Sequence, residues 1–188
     1  MPNIKREQTM SQLKNRLIEN LIEREGGYVN DPTDRGGETN YGITVNVARD
    51  YGYTGDMRHL PYELAFKIYQ DRYWAPLKLD DISAISEDLT EQLFDFGVNS
   101  GVATAAKQLQ TLLNVLNNQQ TLYPDLVIDG ALGSRTLLAL QQYVAHRKLL
   151  GLLVLVEAVR GKRIAFCVDI AANDERQEKY SFWLVNSH

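Results

Sequence analysis

Apolar residues recur at helical spacing along most of the 188-residue chain. The first such stretch predicts a helix over residues 10–24, on the positions Met10, Leu13, Leu17, Ile18, Leu21 and Ile22. The same pattern predicts further helices over residues 45–51, 61–74, 89–96, 102–116, 136–143 and 149–172. Short strands are predicted only near residues 28–29 and 41–44, where Gly and Asn favour a hairpin. We therefore predict a mostly α, α+β fold in which a helical bundle carries one small hairpin.

Composition narrows the class of protein. A net charge of −4 offers no basic stripe for nucleic acid, so no nucleic-acid partner is expected. Cys167 is the single cysteine, which excludes an intramolecular disulfide. The first sixteen residues lack the apolar core of a secretory signal, and the longest apolar run, residues 149–159, contains Gly151 and Glu157. We expect synthesis in the cytoplasm without a signal peptide and no stable membrane insertion.

Residues 25–44, EGGYVNDPTDRGGETNYGIT, carry the candidate chemistry. Two glycines end the first helix and leave Glu25 in its last turn, where the helix dipole disfavours a carboxylate and favours the protonated acid. Glu25 and Asp34 form the pair that glycoside hydrolysis requires, one carboxyl group protonated and one ionised, with the Thr39 hydroxyl able to hold water. The residue types alone fit equally a solvated helix end at Glu25 and a turn at Asp34.

The same stretch, together with YWAPL at 73–77 and FDFGVNSG at 94–101, resembles the glycosyl hydrolase 108 family of bacterial and phage N-acetylmuramidases. The family pattern Glu-Gly-Gly-Tyr, Pro-x-Asp-x-Gly-Gly-x-Thr and Gly-Ile-Thr matches residues 25–28, 32–39 and 42–44. The resemblance extends over about residues 12–110 and implies a lysozyme-like fold with Glu25 as catalytic acid.

The order of Glu25, Asp34 and Thr39 is also similar to the triad of phage-type lysozymes. That similarity implies that Asp34 positions the water as a base with Thr39 beside it. The Asp–Thr interval is one residue shorter here, so Tyr41 or Asn40 could share the role of Thr39.

A second group of residues is expected to bind the sugar. Tyrosine rings stack on sugars, a tight glycine turn lets a sugar approach the backbone, and Asn99 occupies the Val-Asn position of the family. The expected substrate-binding residues are Tyr28, Gly37, Asn40, Tyr41, Asp95 and Asn99. Asn99 fits a helix-capping role as well. The histidines are scattered without metal-ligand spacing, so we expect neither a metal ion nor another cofactor.

The C-terminal region resembles the predicted peptidoglycan-binding module that often follows this catalytic domain. Its run Asp-Gly-x-x-Gly-x-x-Thr at residues 129–136 is similar to a turn of several wall-binding modules. A structural turn before a capped helix explains the same residues. We predict a catalytic region at residues 10–101 and a peptidoglycan-binding-like helical region at 102–188, packed into one compact body.

The resemblance implies an endolysin-like N-acetylmuramidase that lyses the wall by cutting the β-1,4 bond between N-acetylmuramic acid and N-acetylglucosamine with inversion. Its expected partners are peptidoglycan glycan strands, with release to the periplasm and cell wall through a holin or another export route, and the expected state is a monomer. Two alternatives stay open. The same activity could serve secretion of proteins or toxins, or the chain could be a catalytically weak wall-binding protein.

Overall fold

The computed structural model describes residues 2–30 and 37–173, with side chains from residue 8 onward. Helices dominate the described residues, and one small antiparallel sheet accompanies them, which confirms the predicted fold class. The elements are α1 (Pro2–Glu25), β1 (Thr39–Asn40), β2 (Ile43–Thr44), α2 (Val45–Asp50), a 3-10 turn (Met57–His59), α3 (Tyr62–Tyr69), a π-helical turn (Gln70–Trp74), α4 (Leu79–Ser83), α5 (Glu87–Ser100), α6 (Val102–Val115) and α7 (Ser134–Asn173).

The chain forms two compact units, Met1–Arg72 and Tyr73–His188. The first unit contains α1, the hairpin, α2 and α3, and the second contains α4 to α7. The π-helical turn carries the chain from one unit into the next. The division into regions 10–101 and 102–188 stays a prediction.

The core of the first unit is built on α1, which packs against α3. Of the six apolar positions of α1 predicted from spacing, Met10 is partly exposed and the other five are buried: Leu13, Leu17, Ile18, Leu21 and Ile22. From α3, Ala65, Ile68 and Tyr69 are buried. Because these positions form one stripe on each helix, their burial fixes how α1 is rotated about its own axis and hence where its last residue points.

The hairpin pairs Thr39 with Thr44 and Asn40 with Ile43. Its two-residue turn has φ angles of +53° at Tyr41 and +70° at Gly42, the signs that a type I′ turn requires. Before the hairpin, Val29 exchanges backbone hydrogen bonds of 2.9 and 2.8 Å with Thr39. This bridge returns the chain beside the hairpin shortly after α1 has ended.

Local capping chemistry sets the next elements. Thr44 Oγ1 accepts a hydrogen bond from the amide of Val47 at 3.3 Å and begins α2, as the sequence predicts. Pro61, at the N-cap of α3, has no N–H to leave unsatisfied. The Asn40 amide donates to the carbonyl of Met57 at 2.7 Å and so attaches the hairpin to the 3-10 turn.

The second unit is organised around α5, which packs against α4, α6 and α7. Ser86 caps α5 through a 3.1 Å hydrogen bond from the amide of Leu89. Phe94 on α5 meets the buried Trp74 ring at 5.6 Å between centroids. A side chain at Gly97 would lie 2.6 Å from Leu77 Cδ1, so the close approach of the Leu77 segment to α5 requires glycine there.

The last helix, α7, is interrupted once. Lys148 has φ 57° and ψ −157°, outside the helical region. Across the interruption, the Tyr143 hydroxyl donates to the carbonyl of Gly151 at 2.8 Å, and a side chain at residue 151 would collide with Arg147 Cβ. Within the described ranges, the protein has no helix that is both long and apolar enough to cross a membrane.

Four elements differ from the predictions. The strand predicted over residues 41–44 begins only at Ile43, because Tyr41 and Gly42 form the turn of the hairpin and its other strand is Thr39–Asn40. Helix α1 begins at Pro2 rather than near residue 10. The single helix predicted over 61–74 ends as an α-helix at Tyr69 and continues as the π-helical turn. Helix α4 was not predicted, because its five residues are too few to show a periodic pattern.

Candidate active site

Glu25 is the last residue of α1. Gly26 follows with a φ angle of +77°, and its amide donates to the carbonyl of Ile22 at 3.3 Å. Positive φ costs glycine little, so the Gly-Gly pair ends the helix at the acid. The sequence prediction of Glu25 in the final turn of an amphipathic helix is confirmed.

The Glu25 carboxyl group lies beside the hairpin turn. A Cβ placed on Gly42 would be 2.9 Å from Glu25 Oε2, 3.0 Å from Glu25 Cγ and 2.6 Å from Tyr69 Oη. The acid and the tyrosine hydroxyl therefore occupy the space that a side chain at residue 42 would need. Tyr69 Oη also donates to the carbonyl of Tyr41 at 2.9 Å, which fixes the turn against α3.

This surrounding changes the acidity of Glu25. The residue as a whole is exposed, but neighbouring groups exclude water from part of its carboxyl group. The resulting desolvation raises the pKa of Glu25 above its ordinary value, and the positive charge of Arg24 opposes part of that rise. A carboxyl group with a raised pKa keeps its proton to higher pH, as a general acid must.

Thr39 and Asn40 occupy β1, in the same unit as Glu25. Thr39 is partly exposed, and its hydroxyl makes no hydrogen bond to any residue that the structure describes. Asn40 is only 4% exposed, and its amide nitrogen is taken by the carbonyl of Met57. The two neighbours thus differ, because the Asn40 amide nitrogen is bonded to Met57 whereas the Thr39 hydroxyl has no partner among the described residues.

Three further predicted residues surround the hairpin. Tyr28 is partly buried, and the guanidinium carbon of Arg58 lies 5.3 Å from its ring centroid. Tyr41 meets Tyr62 edge to face at 6.0 Å between ring centroids. Gly37 has a φ angle of +69° in the segment leading into β1. The first unit therefore brings tyrosine rings and a glycine turn to the part of the chain that holds Glu25.

The remaining predicted residues are Asp34, Asp95 and Asn99. Asp34 falls in residues 31–36, outside the described residues. Asn99 is exposed in the last turn of α5, in the second unit. Asp95, also on α5, is 8% exposed, and its Oδ2 receives a 3.4 Å charged hydrogen bond from Arg163 on α7. Asp95 thus takes part in a buried ion pair of the second unit.

Sequence reasoning missed Tyr69. Its place on the apolar face of a predicted helix indicates a core residue, and its ring is buried as expected. The hydroxyl contact joins residues 28 positions apart, and helical periodicity carries no signal for such a pair. Tyr69 joins the candidate site only through the geometry of the turn.

Comparisons with known proteins agree with the resemblance drawn from the sequence. Residues 18–101 match the family model described as glycosyl hydrolase 108, and residues 104–186 match the model described as predicted peptidoglycan domain. The solved structure of SagA from Brucella abortus is similar over 94% of this chain and 98% of that chain, with 23% identity and a TM-score of 0.60. At this identity the likeness shows a shared fold. No curated protein matches the chain.

The two family models follow one another and leave few residues of the chain unmatched. The first model identifies a glycoside hydrolase with lysozyme-like activity, and the second identifies peptidoglycan as its partner. Residues 18–101 therefore form a glycosyl hydrolase 108 region and residues 104–186 a predicted peptidoglycan domain, and the chain is a peptidoglycan hydrolase.

Proposed function

We propose that the chain is an N-acetylmuramidase that cleaves the β-1,4 bond between N-acetylmuramic acid and N-acetylglucosamine, with Glu25 as the general acid. The observation that carries this proposal is the position of the Glu25 carboxyl group beside Gly42 and the Tyr69 hydroxyl. Desolvation there raises the pKa of the acid. Glycoside hydrolysis needs such a protonated carboxyl group within reach of the leaving oxygen.

The proton transfer follows from this environment. As the bond between the anomeric carbon and the glycosidic oxygen breaks, Glu25 gives its proton to the leaving oxygen, and the sugar ring develops oxocarbenium-like charge. The carboxylate that remains is less hydrated than one in water, which favours its reprotonation before the next cycle. Tyr69 serves as a positioning residue because it holds the turn that lies against Glu25.

We assign the second half of the reaction to Asp34 and Thr39. Asp34 acts as the base that directs water to the face opposite Glu25, and Thr39 holds that water through its hydroxyl group. The absence of a described partner for this hydroxyl supports the assignment of Thr39. Attack by water on the opposite face inverts the anomeric centre.

Sugar contacts complete the proposal. We assign them to Tyr28, Tyr41, Gly37 and Asn99. Asn40 and Asp95 are buried, with their polar groups engaged by Met57 and Arg163, so we assign both to the framework rather than to the sugar.

A digest of purified peptidoglycan tests the bond and the acid together. The matched variants are Glu25→Gln and Glu23→Gln, which change two exposed glutamates of the same helix, only one of them beside Gly42. After borohydride reduction, mass spectrometry of the wild-type and Glu23→Gln digests should show muropeptides with a reduced muramic acid end. The Glu25→Gln digest should lack them. Fragments from amide cleavage, reduced glucosamine ends or equal digestion by Glu25→Gln would overturn the proposal.

The stereochemical outcome must be measured before the new reducing end interconverts between its two anomers. Proton NMR of the new reducing end, recorded within the first minutes of turnover before mutarotation, should show the α-anomer if water attacks directly. The β-anomer would point to a covalent intermediate and a carboxylate close enough to attack. Such a result would remove the water-directing role proposed for Asp34.

We place the activity in wall lysis. Directing the protein to the periplasm of a Gram-negative host should clear the culture, whereas Glu25→Gln directed in the same way should not. Growth that continues while the wall is locally digested would instead favour a role in protein or toxin secretion.

A further inference from the structure

We propose that a groove of the second unit, formed by residues 123–136 and the first turns of α7, binds the stem peptide of peptidoglycan rather than its sugars. This inference rests on the proposed function, because it takes peptidoglycan as the ligand. It adds which part of peptidoglycan the second unit binds. The groove has a volume of about 670 Å³. All of its lining residues belong to the second unit.

The floor of the groove is rigidly built. Gln110 of α6 is 1% exposed and lies beneath the turn at residues 129–136. Its amide nitrogen donates to Asp129 Oδ1 at 2.8 Å and to the carbonyl of Ala131 at 3.1 Å. Its amide oxygen accepts from the amide of Gly130 at 3.0 Å. One buried side chain thereby holds Asp129, Gly130 and Ala131, and its amide nitrogen also lies 3.4 Å from Thr136 Oγ1, so the groove exists before any ligand arrives.

Three charged groups line this groove, one cation and two anions. Arg135, in the first turn of α7, is exposed and forms no ion pair or hydrogen bond with the residues that the structure describes. Asp125, also in the lining, accepts one hydrogen bond, from Asn117 Nδ2 at 2.9 Å, through Oδ1. Asp129 is different, because its hydrogen bonds to Gln110 and Ala131 lower its pKa and tie it to its own turn. The groove thus offers a cation for a carboxylate and an anion for an amine.

The apolar lining favours a peptide over a sugar. Its exposed apolar side chains are aliphatic: Val127 is 73% exposed and Leu138 is 54% exposed. The lining aromatic residue, Tyr123, is 4% exposed, and its hydroxyl is engaged by the carbonyl of Leu113. Sugars bind best on open aromatic faces, whereas small aliphatic groups fit aliphatic walls. Stem peptides combine alanine methyl groups with free carboxylates and the amine of a diamino acid, so they match the walls and both charges.

The position of Arg135 adds to the preference for a carboxylate. The amide of Leu137 donates to the carbonyl of Gly133, which places Arg135 among the first residues of α7. The start of a helix carries partial positive charge, and a neighbouring guanidinium group adds a full charge and a planar pair of donors. A carboxylate in the groove would therefore meet two favourable sources of charge at one end.

Calorimetric titration of the full chain tests the proposal with two soluble probes. The first is the free tetrapeptide of L-alanine, D-glutamate, diaminopimelate and D-alanine, and the second is the tetramer of N-acetylglucosamine. The tetrapeptide should bind the wild type, and Arg135→Ala should raise its Kd at least about tenfold, because a charged hydrogen bond is lost. Arg160→Ala is the matched control, since it removes an arginine that pairs with Glu157 away from the groove.

A second pair of variants tests the apolar wall without threatening the fold. Leu138→Ser should weaken tetrapeptide binding several-fold, whereas Leu150→Ser, at a residue 74% exposed and outside the groove, should leave it unchanged. A tetrapeptide that does not bind, or that binds Arg135→Ala as tightly as wild type, overturns the proposal. Loss of sugar-tetramer binding in Arg135→Ala also overturns it, in favour of a glycan subsite.

Failure of this proposal and failure of the muramidase proposal remain distinguishable. Glycan strands stripped of their peptides should be digested equally by wild type and Arg135→Ala. If the wild type does not digest them, the muramidase proposal is wrong, and the titration still decides the groove.

Discussion

Replacing Gly42 with alanine tests whether the hairpin turn positions the catalytic carboxyl group. The new Cβ would lie 2.6 Å from Tyr69 Oη and 2.9 Å from Glu25 Oε2. Non-bonded carbon and oxygen atoms need about 3.5 Å, so these oxygens must retreat by roughly 0.9 and 0.6 Å. Tyr69 is 4% exposed and packed in α3, so we expect the movement to fall on the turn and on the more exposed Glu25 side chain.

The expected magnitudes separate stability from catalysis. Gly42 has a φ angle of +70°, and an alanine in that conformation costs about 1–2 kcal/mol. In a chain of this size such a loss lowers the midpoint of thermal unfolding by roughly 2–8 °C. A displacement of about 1 Å at a reacting group costs up to ~100-fold in rate. We therefore expect kcat/KM to fall between about tenfold and 100-fold in the folded variant.

The control is Gly52→Ala. Gly52 has a φ angle of +81°, and a Cβ placed there would meet none of the described residues within 4 Å, so this variant carries the backbone strain without the collision. The assay follows the turbidity of a peptidoglycan suspension at a temperature where circular dichroism shows both variants folded. Both midpoints should fall, but only Gly42→Ala should lose rate. Equal rates in the two variants would refute the argument that this turn positions Glu25.

Further predictions concern charge. Because Glu25 acts in its protonated form, kcat/KM should fall as pH rises through the raised pKa of Glu25. The Arg24→Ala variant should move this fall in kcat/KM to higher pH, whereas the control Arg160→Ala should not. An unchanged pH profile in Arg24→Ala would exclude the influence of Arg24 on the acid. Desolvation penalises the Glu25 anion in the folded state, so the protein loses stability as pH rises through the raised pKa of Glu25. The melting temperature of Glu25→Gln should therefore exceed that of the wild type at neutral pH, and the difference should vanish below about pH 4.5. A difference in melting temperature that does not change with pH would contradict this. Arg163→Met should lower the free energy of unfolding, measured by urea titration, by about 3–5 kcal/mol, because it leaves the buried Asp95 carboxylate without this arginine. Adding Asp95→Leu should restore much of that free energy. Additive losses in the double variant would show that the two residues are not coupled.

The sequence predicted much of the candidate site because its signals are local. An apolar stripe followed by two glycines indicates where α1 ends, and that end is Glu25. A hairpin near residues 41–44 was predicted from the same kind of signal, although Tyr41 and Gly42 form its turn rather than part of a strand. Local spacing, helix propensity and turn chemistry determine such features, and one sequence contains all three.

What the sequence did not predict depends on contacts between distant residues. Tyr69 reaches the carbonyl of Tyr41, and Gln110 reaches the turn at residues 129–136, each with a polar group on a helix whose pattern predicts only burial or exposure. The burial of Asp95 has the same cause, since its partner Arg163 lies 68 residues away. Helix α4 was missed for another reason, because five residues show no period.

The packing of α5 has a consequence for how this protein can exchange parts with its relatives. Helix α5 belongs to the stretch matched by glycosyl hydrolase 108, yet it packs on α6 and α7, which lie almost entirely in the stretch matched by the peptidoglycan domain. Recombination near Gly101 would join two different chains at the boundary between the two family matches. Asp95 would then come from one parent chain and residue 163 from the other. Grafting a foreign wall-binding region there would thus expose the apolar face of α5 or leave its carboxylate without its cation. Inheritance of the two regions as a pair, with compensating changes on α5 and α7, is the course that this packing favours.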